Sequence, residues 1–320
     1  MKDSDVTEAM QPLPTERPIA AGTLVWGSDF NSAVSQLYRW WGGIDAPEGT
    51  DTRRLADGLL DPAFSVRIPE FSASAPDELD RRLQAVRAVP NRSHHLDYND
   101  YRLHWIDGTD FRLQTEFDVQ AGGRTERRSA TVILRRQSSG LLAILALDEV
   151  AEGGLPRRDF APSYVENRAR ATSTRFQAHM DSLTGDASGM RDLMMPVLEL
   201  HGLVASKTDR SSAGDEPLTD VDDLRKTVAG SDSVADNAIR DFDGFAAWFA
   251  TAPALFAYGL HKLERFAVVP LANRRYETMA QYDWRAETVN GAKIETHHPL
   301  TWVLVDADEA YMRIEKLMPF

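Results

Sequence analysis

Two segments carry a histidine at the mouth of an alternating apolar run, SHHLDYNDYRLHW at 93–105 and YGLHKLERFAV at 258–268. Imidazole titrates nearer neutral pH than any other ordinary side chain, so a histidine fixed at a pocket rim can take up or return a proton. The chain has no cysteine, which removes thiolate catalysis, disulfides and Cys-ligated metals. The paired histidines at 94–95 and 297–298 place neighbours on opposite faces of a strand, so neither pair can chelate a metal jointly. No phosphate loop, dinucleotide fingerprint or nucleophile elbow occurs. These residues point to acid–base chemistry with no metal and no cofactor.

The elements around these segments come in the same order twice. SDFNSAVSQLYRWWGGID has Phe30, Val34, Leu37, Tyr38 and Trp41 at helical spacing and stops at its glycines. A short helix around Arg53–Leu60, the strand FSVRIPEF and a helix in SAPDELDRRLQAVRAVP follow. Ser74, Pro76, Asp77 and Glu78 supply that last helix with start chemistry. After Pro90 the period changes to two, and YRLHWID, DFRLQTEFDVQ, RSATVILRRQ and LLAILALDEV form an antiparallel meander joined by turn residues. A connector, AEGGLPRRDFAPS, ends this unit. SYVENRARATSTRFQAHMDSLTGD then restarts with a helix, MMPVLELHGLV with a strand and AIRDFDGFAAWFATAP with a helix. Four more strands complete the second unit. Gly122 and Gly291 mark equivalent hairpins, and Thr131 and Thr301 lie in the strands that follow. Helices before a meander, repeated, give an α+β chain built by internal duplication. Its divisions are a disordered leader at 1–24, a first domain at 25–152, a linker at 153–161 and a second domain at 162–320. The main departure from the repeat is a polar insertion at 206–236, read as a mobile loop over the second pocket.

Composition agrees with two soluble domains. The 320 residues are 42% apolar and 27% charged, with a formal net charge of −13. That charge argues against nucleic acid and anionic membrane surfaces, which need clustered Lys and Arg. The N-terminus lacks an apolar targeting core and no run reaches membrane-spanning length, so the expected location is cytoplasmic. Apolar residues on both faces of TVILRR, LLAILALDEV and LTWVLVD suggest sheets buried on each side. We therefore expect the halves to pack sheet to sheet as an intrachain pseudo-dimer, with further homo-oligomers open.

This order of elements resembles the nuclear transport factor 2-like (NTF2-like) superfamily, within it SnoaL-type and scytalone dehydratase-like domains. The resemblance implies, for each half, N-terminal helices packed on a curved antiparallel sheet around a conical pocket for a hydrophobic small molecule. It also implies an Asp after the first helix facing a His at the start of the strand after the third. The matching positions are Asp45 with His95 and Asp181 with His261. A carboxylate beside an imidazole fixes its tautomer and stabilises the imidazolium. In the first half His95 would be the base, Asp45 its orienting carboxylate and Tyr38 a donor to a developing oxyanion. The first half is preferred because Asp181 and His261 are separated by the insertion, with Phe176 and Phe256 nearby. The family's second histidine has no match after His104 in the first half, whereas His297 and His298 stand in the second. That departure bears against dehydration as such.

An epoxide-hydrolase reading needs Asp–Arg–Asp. DWRAET supplies Arg285 and Glu287, with Glu315 on the last strand as the remaining acid. Gln281, Asp283, Arg285 and Glu287 also read simply as the polar face of one strand, a pattern that Arg112, Gln114, Glu116 and Asp118 repeat. Two functions remain. One is a cofactor-independent acid–base enzyme acting on a hydrophobic small molecule as lyase, isomerase, cyclase or hydrolase. The other is a non-catalytic tandem module for binding a small ligand or for assembly.

Overall fold

The computed structural model describes residues 24–51, 57–106, 109–138, 140–155, 163–201 and 238–319. The leader, the linker and the insertion lie wholly or largely outside them. The first half opens with α1 (Leu24–Ile44), followed by β1 (Leu60–Ile68), β2 (Phe71–Ala73), α2 (Pro76–Arg87) and the meander β3 (Ser93–Trp105), β4 (Asp110–Ala121), β5 (Arg124–Arg136) and β6 (Leu142–Gly154). The second opens with α3 (Tyr164–Ser182), then β7 (Met194–Leu200), α4 (Phe242–Phe249), β8 (Phe256–Pro270), β9 (Arg275–Thr288), β10 (Lys293–Val305) and β11 (Arg313–Pro319). The sheets run β2-β1-β6-β5-β4-β3 and β7-β11-β10-β9-β8. In each, the short first strand closes parallel onto the last (β1 on β6, β7 on β11) while the meander is antiparallel. The fold is α+β, two domains in tandem, each with its opening helix packed on a largely antiparallel sheet.

Local details depart from expectation in three places. Residues 57–59 are a turn and Leu60 already belongs to β1; 52–56 of the expected short helix lie outside the described residues. The cap of α2 is Ala75, which offers no side-chain bond, so Ser74 does not cap; Pro76 in the first turn and Asp77 and Glu78 at the positive end start the helix instead. The α3 helix ends at Leu183, held in the left-handed region at φ 48°, before Gly185.

α1 touches β6 and β3, which β5 and β4 separate, so the first sheet must curl for one helix to reach both. Register shifts in β1–β6, β3–β4 and β5–β6 supply the bends. The expected sheet-to-sheet contact is not how the halves join. α1 packs along α3, with α1 also reaching β8. Both helices are therefore buried nearly all round, although each carries many polar residues. Buried polar atoms need partners. Ser35 Oγ finds one across the junction, donating to the Ala171 carbonyl (2.8 Å), and Arg168 finds one within its own half, bonding Asp306 (2.8 Å). Ser35 and Ala171 lie 136 positions apart. Asn31 and Asn167, Arg39 and Arg175, and Asp45 and Asp181 have the same spacing. The helix pair is thus a duplicated element packed on its own copy.

Candidate active site

Each half ends its opening helix with an aspartate, a placement that the negative helix C-terminus disfavours. In both, the carboxylate is answered by a histidine on the strand beside it. In the second half His261 Nδ1 meets Asp181 Oδ1 at 2.6 Å, while the His261 backbone N–H donates to Oδ2 at 3.0 Å. This is the expected pair. In the first half the partner of Asp45 is His94: Nδ1 to Oδ1 is 2.7 Å and the backbone N–H to Oδ2 is 2.9 Å. His95 is not brought to Asp45. It lies on the opposite face of β3, with Nε2 at 3.1 Å from Ser93 Oγ, and burial holds its pKa down at about 4. The reason is strand alternation, which turns one of two adjacent histidines inward and the other away. The signal was present in the sequence: His94 shares its face with Leu96 as His261 does with Leu263, and both leucines are buried.

The other half completes each pair. Ser163, just before α3, donates to Asp45 Oδ2 (2.6 Å) and accepts from the His94 N–H (2.9 Å). Asn167 donates to the His94 carbonyl (3.3 Å). Asn31 of α1 donates to Asp181 Oδ2 (2.7 Å) and to the His261 carbonyl (2.9 Å). α1 gets this close because Gly27 faces Gly259: a Cβ at Gly27 would sit 2.4 Å from the Gly259 carbonyl oxygen. Burial pushes the Asp45 carboxyl up, but the His94 imidazole, the Ser163 hydroxyl and the His94 N–H together hold it below its ordinary value.

The two surroundings differ. His94 is 1% exposed, its ring stacked on Trp41 (5.9 Å, 13°) and tilted against Phe117 (5.8 Å). Its Nε2 is buried with no partner among the described residues. Opposite Phe117 in the ladder stands Arg128, which binds Glu70 (2.7 Å) and Glu149 (3.3 Å). Arg92 also holds Glu70 (2.7 Å), and Trp40 donates to Glu149 (3.3 Å). Burial raises the Glu70 carboxyl, yet its two arginines bring it down to about 2. This ionic network stands on the Arg128 side of Phe117 in the first sheet. In the second half the matching ladder position, opposite Tyr282, is His298. His261 is 8% exposed, stacked on Trp284 (5.5 Å, 13°), edge-on to Tyr282 (6.1 Å) and 5.9 Å from the His298 ring. Trp284 and His298 are half-buried, and burial, then His261, holds His298 down at about 3.

The remaining candidates do not join these pairs. Tyr38 is fully buried between the halves with the Arg170 guanidinium over its ring (5.6 Å), and burial pushes its phenol up to about 12. By alternation Arg285 and Glu287 stand on the opposite face of β9 from Trp284, and Arg285 pairs with Asp283 (3.1 Å). Glu315 is taken by Arg275 (2.8 Å), so the Asp–Arg–Asp arrangement is not assembled around His261. In the first half, Arg127 binds Asp118 (2.6 Å) and Glu116 (3.7 Å) along the same polar face. Phe176 packs on Trp302 in the second core and Phe256 on Trp284. His297 is exposed.

No family model and no curated protein matches the chain. Among solved structures it is similar to a provisionally named scytalone dehydratase from Novosphingobium aromaticivorans, at 12% identity and TM-score 0.33, over 42% of this chain and 91% of that one. It is similar to a provisionally named ketosteroid isomerase from Shewanella frigidimarina, at 12% identity and TM-score 0.31, over 39% and 98%. A hexachlorocyclohexane dehydrochlorinase matches at 15% identity and TM-score 0.31, over 42% and 97%. The chemistry of this chain has to be argued from its own residues. No helix among the described residues is long and apolar enough to cross a membrane.

Proposed function

We propose that the second half carries an acid–base site for a neutral hydrophobic small molecule, with His261 as base, Asp181 as its orienting carboxylate, and Trp284 and His298 as the wall. The observation that carries this reading is the contrast at one ladder position: His298 beside His261, which keeps 8% exposure, against Arg128 and its glutamates near His94, which keeps 1%. With Nδ1 committed to Asp181, the free nitrogen of His261 is Nε2, and the carboxylate favours the imidazolium formed when Nε2 takes a proton. A proton alpha to a carbonyl, or one on a water attacking an electrophile, suits such a base. The Asp45–His94 pair then serves as a structural pin tying α1 to β3.

The non-catalytic reading has its own support, because the same two-bond grip on a strand occurs at His94, which is 1% exposed. Alpha hydrogen–deuterium exchange of a small library of cyclic ketones, followed by NMR in D2O, separates the readings whatever the product of the full reaction. Nile red, a neutral apolar dye, reports binding in parallel. Exchange lost in His261→Gln and kept in His94→Gln supports the second-half site; losing a positioned base removes about 10²–10⁴-fold of rate. Dye binding without exchange supports a binding module. Loss in His94→Gln alone moves the site to the first half.

A further inference from the structure

On one side of the α1–α3 crossing the halves form a half-open cleft of about 1250 Å3 that the His–Asp pairs do not line. Its volume is ample for an organic molecule, and a junction between domains is a usual place for one. Arg39 and Arg175, at equivalent positions of the two helices, both line it, with Tyr311 from the loop before β11.

The other arginines of the wall are answered by protein. Arg136 pairs with Asp29, and Arg313 binds both oxygens of Glu309 (2.7 and 2.8 Å). Arg39 donates to Gln36 (3.1 Å) and to the Asp57 carbonyl, and lies over the Tyr311 ring at 4.5 Å. Arg175 is 5% exposed and makes no hydrogen bond or ion pair with any described residue. Its charged and polar neighbours through space are the Tyr311 phenol, then the like charge of Arg39, then Asp192, which is exposed at the rim, where Asp186 is also held by the Ser188 N–H (2.9 Å). One turn further along α3, His179 is a second wall residue whose buried Nε2 has no hydrogen-bond partner among the described residues. Burial and Arg175 hold that ring neutral, at about 3, so it adds no competing charge. A buried cation with no hydrogen-bonded or ion-paired partner is costly, and an anion in the cavity would relieve that cost.

We propose that this cavity binds a small organic anion through its carboxylate or phosphate group, with the Arg175 guanidinium as the receptor and Arg39 beside it. The planar fork of five donors matches either oxyanion with two parallel hydrogen bonds. The inference rests on residues separate from His261 and Asp181 and stands whether or not that site is catalytic.

The test is isothermal titration of the full chain with inorganic phosphate, succinate and benzoate, using chloride at matched ionic strength as control. At least one oxyanion should bind saturably, and Arg175→Met should weaken it at least tenfold. Phosphate alone as the winner identifies a phosphate site; succinate or benzoate identifies a carboxylate site. Without any added anion, Arg175→Met should melt at or above the wild-type temperature, because it removes an unpaired buried charge. Three results would overturn the proposal: no oxyanion binding above chloride, binding undiminished by Arg175→Met, or an unliganded variant that melts several degrees lower or does not fold.

Discussion

Removing the carboxylate of Asp45 tests whether the first His–Asp pair is a structural pin. Asp45→Ala strips acceptors from the His94 ring N–H, the His94 backbone N–H and the Ser163 hydroxyl, all within 2.9 Å of the carboxylate and all buried. An orphaned buried donor costs about 1–3 kcal/mol. The Ser163 hydroxyl can rotate, and the His94 N–H keeps Ser163 Oγ as an acceptor. We expect a loss of about 3–5 kcal/mol, the range for breaking a buried pair by removing one partner. His94→Phe keeps the backbone bond and the contacts with Trp41 and Phe117, so it should cost less, about 1–3 kcal/mol. The double variant should fall short of the sum by roughly 1–2 kcal/mol, since both singles break the same ring bond. Urea unfolding followed by tryptophan fluorescence reads all four proteins, with Trp41 beside the perturbed ring. An Asp45→Ala variant within about 1 kcal/mol of wild type, or a strictly additive double variant, would refute the pin, given that a neutral surface change costs no more than about 0.5 kcal/mol.

Gly27→Ala should destabilise by about 2 kcal/mol or more through its clash with the Gly259 carbonyl, whereas Gly43→Ala in the same helix, with nothing within 4 Å of its new Cβ, should be neutral or gain up to about 1 kcal/mol; urea midpoints compare them. Arg128→Met should cost about 3–5 kcal/mol by leaving the buried Glu149 without its cation, while Glu70 keeps Arg92, a loss that Arg128→Met with Glu149→Leu should partly restore. His95 and His298, held at about 4 and about 3 by burial, are neutral in the fold but protonate near pH 6.5 when unfolded. Their contribution is therefore complete above pH 6.5 and lost as pH falls toward 4 and 3, at most about 2 kcal/mol each at pH 5. His298→Gln should flatten the fall in urea midpoint between pH 7.5 and 5, and an unchanged slope would count against the burial assigned to that ring.

The duplicated order of helices and meander was legible because period-two strands, their turn glycines and the helical stripe of Phe30, Val34 and Leu37 each reflect local rules that the folded chain obeys. Asp181–His261 was legible for the same reason, as one histidine at one strand mouth. The first pair was misplaced by a single residue, since in HH the choice of face depends on register, and only Leu96 two positions on discloses it. Ser163, Asn31 and Asn167 were invisible as partners, because their bonds cross between halves at a helix crossing that no periodicity encodes. The apolar strand faces suggested sheet against sheet, but the nearly all-round burial of α1 and α3, with their many Ser, Thr, Asn and Arg residues, overrode that pattern. The ionic network of the first sheet was likewise hidden, because Arg128, Glu70 and Glu149 are far apart in sequence and individually look like surface charges.

The close approach of Gly27 to Gly259 has a counterpart at the other end of the helix pair. Position 163 stands to α3 as position 27 stands to α1, at the 136-residue spacing of Ser35 and Ala171. At one place glycine yields clearance; at the other serine yields a hydroxyl that grips Asp45. Two identical subunits meeting about a twofold axis must carry the same residue at both places, and no single residue supplies clearance and a hydroxyl together. Joining the copies in one chain lifts that restriction, so each end of the crossing can specialise independently, one toward a hydroxyl that grips a carboxylate and the other toward a close backbone contact.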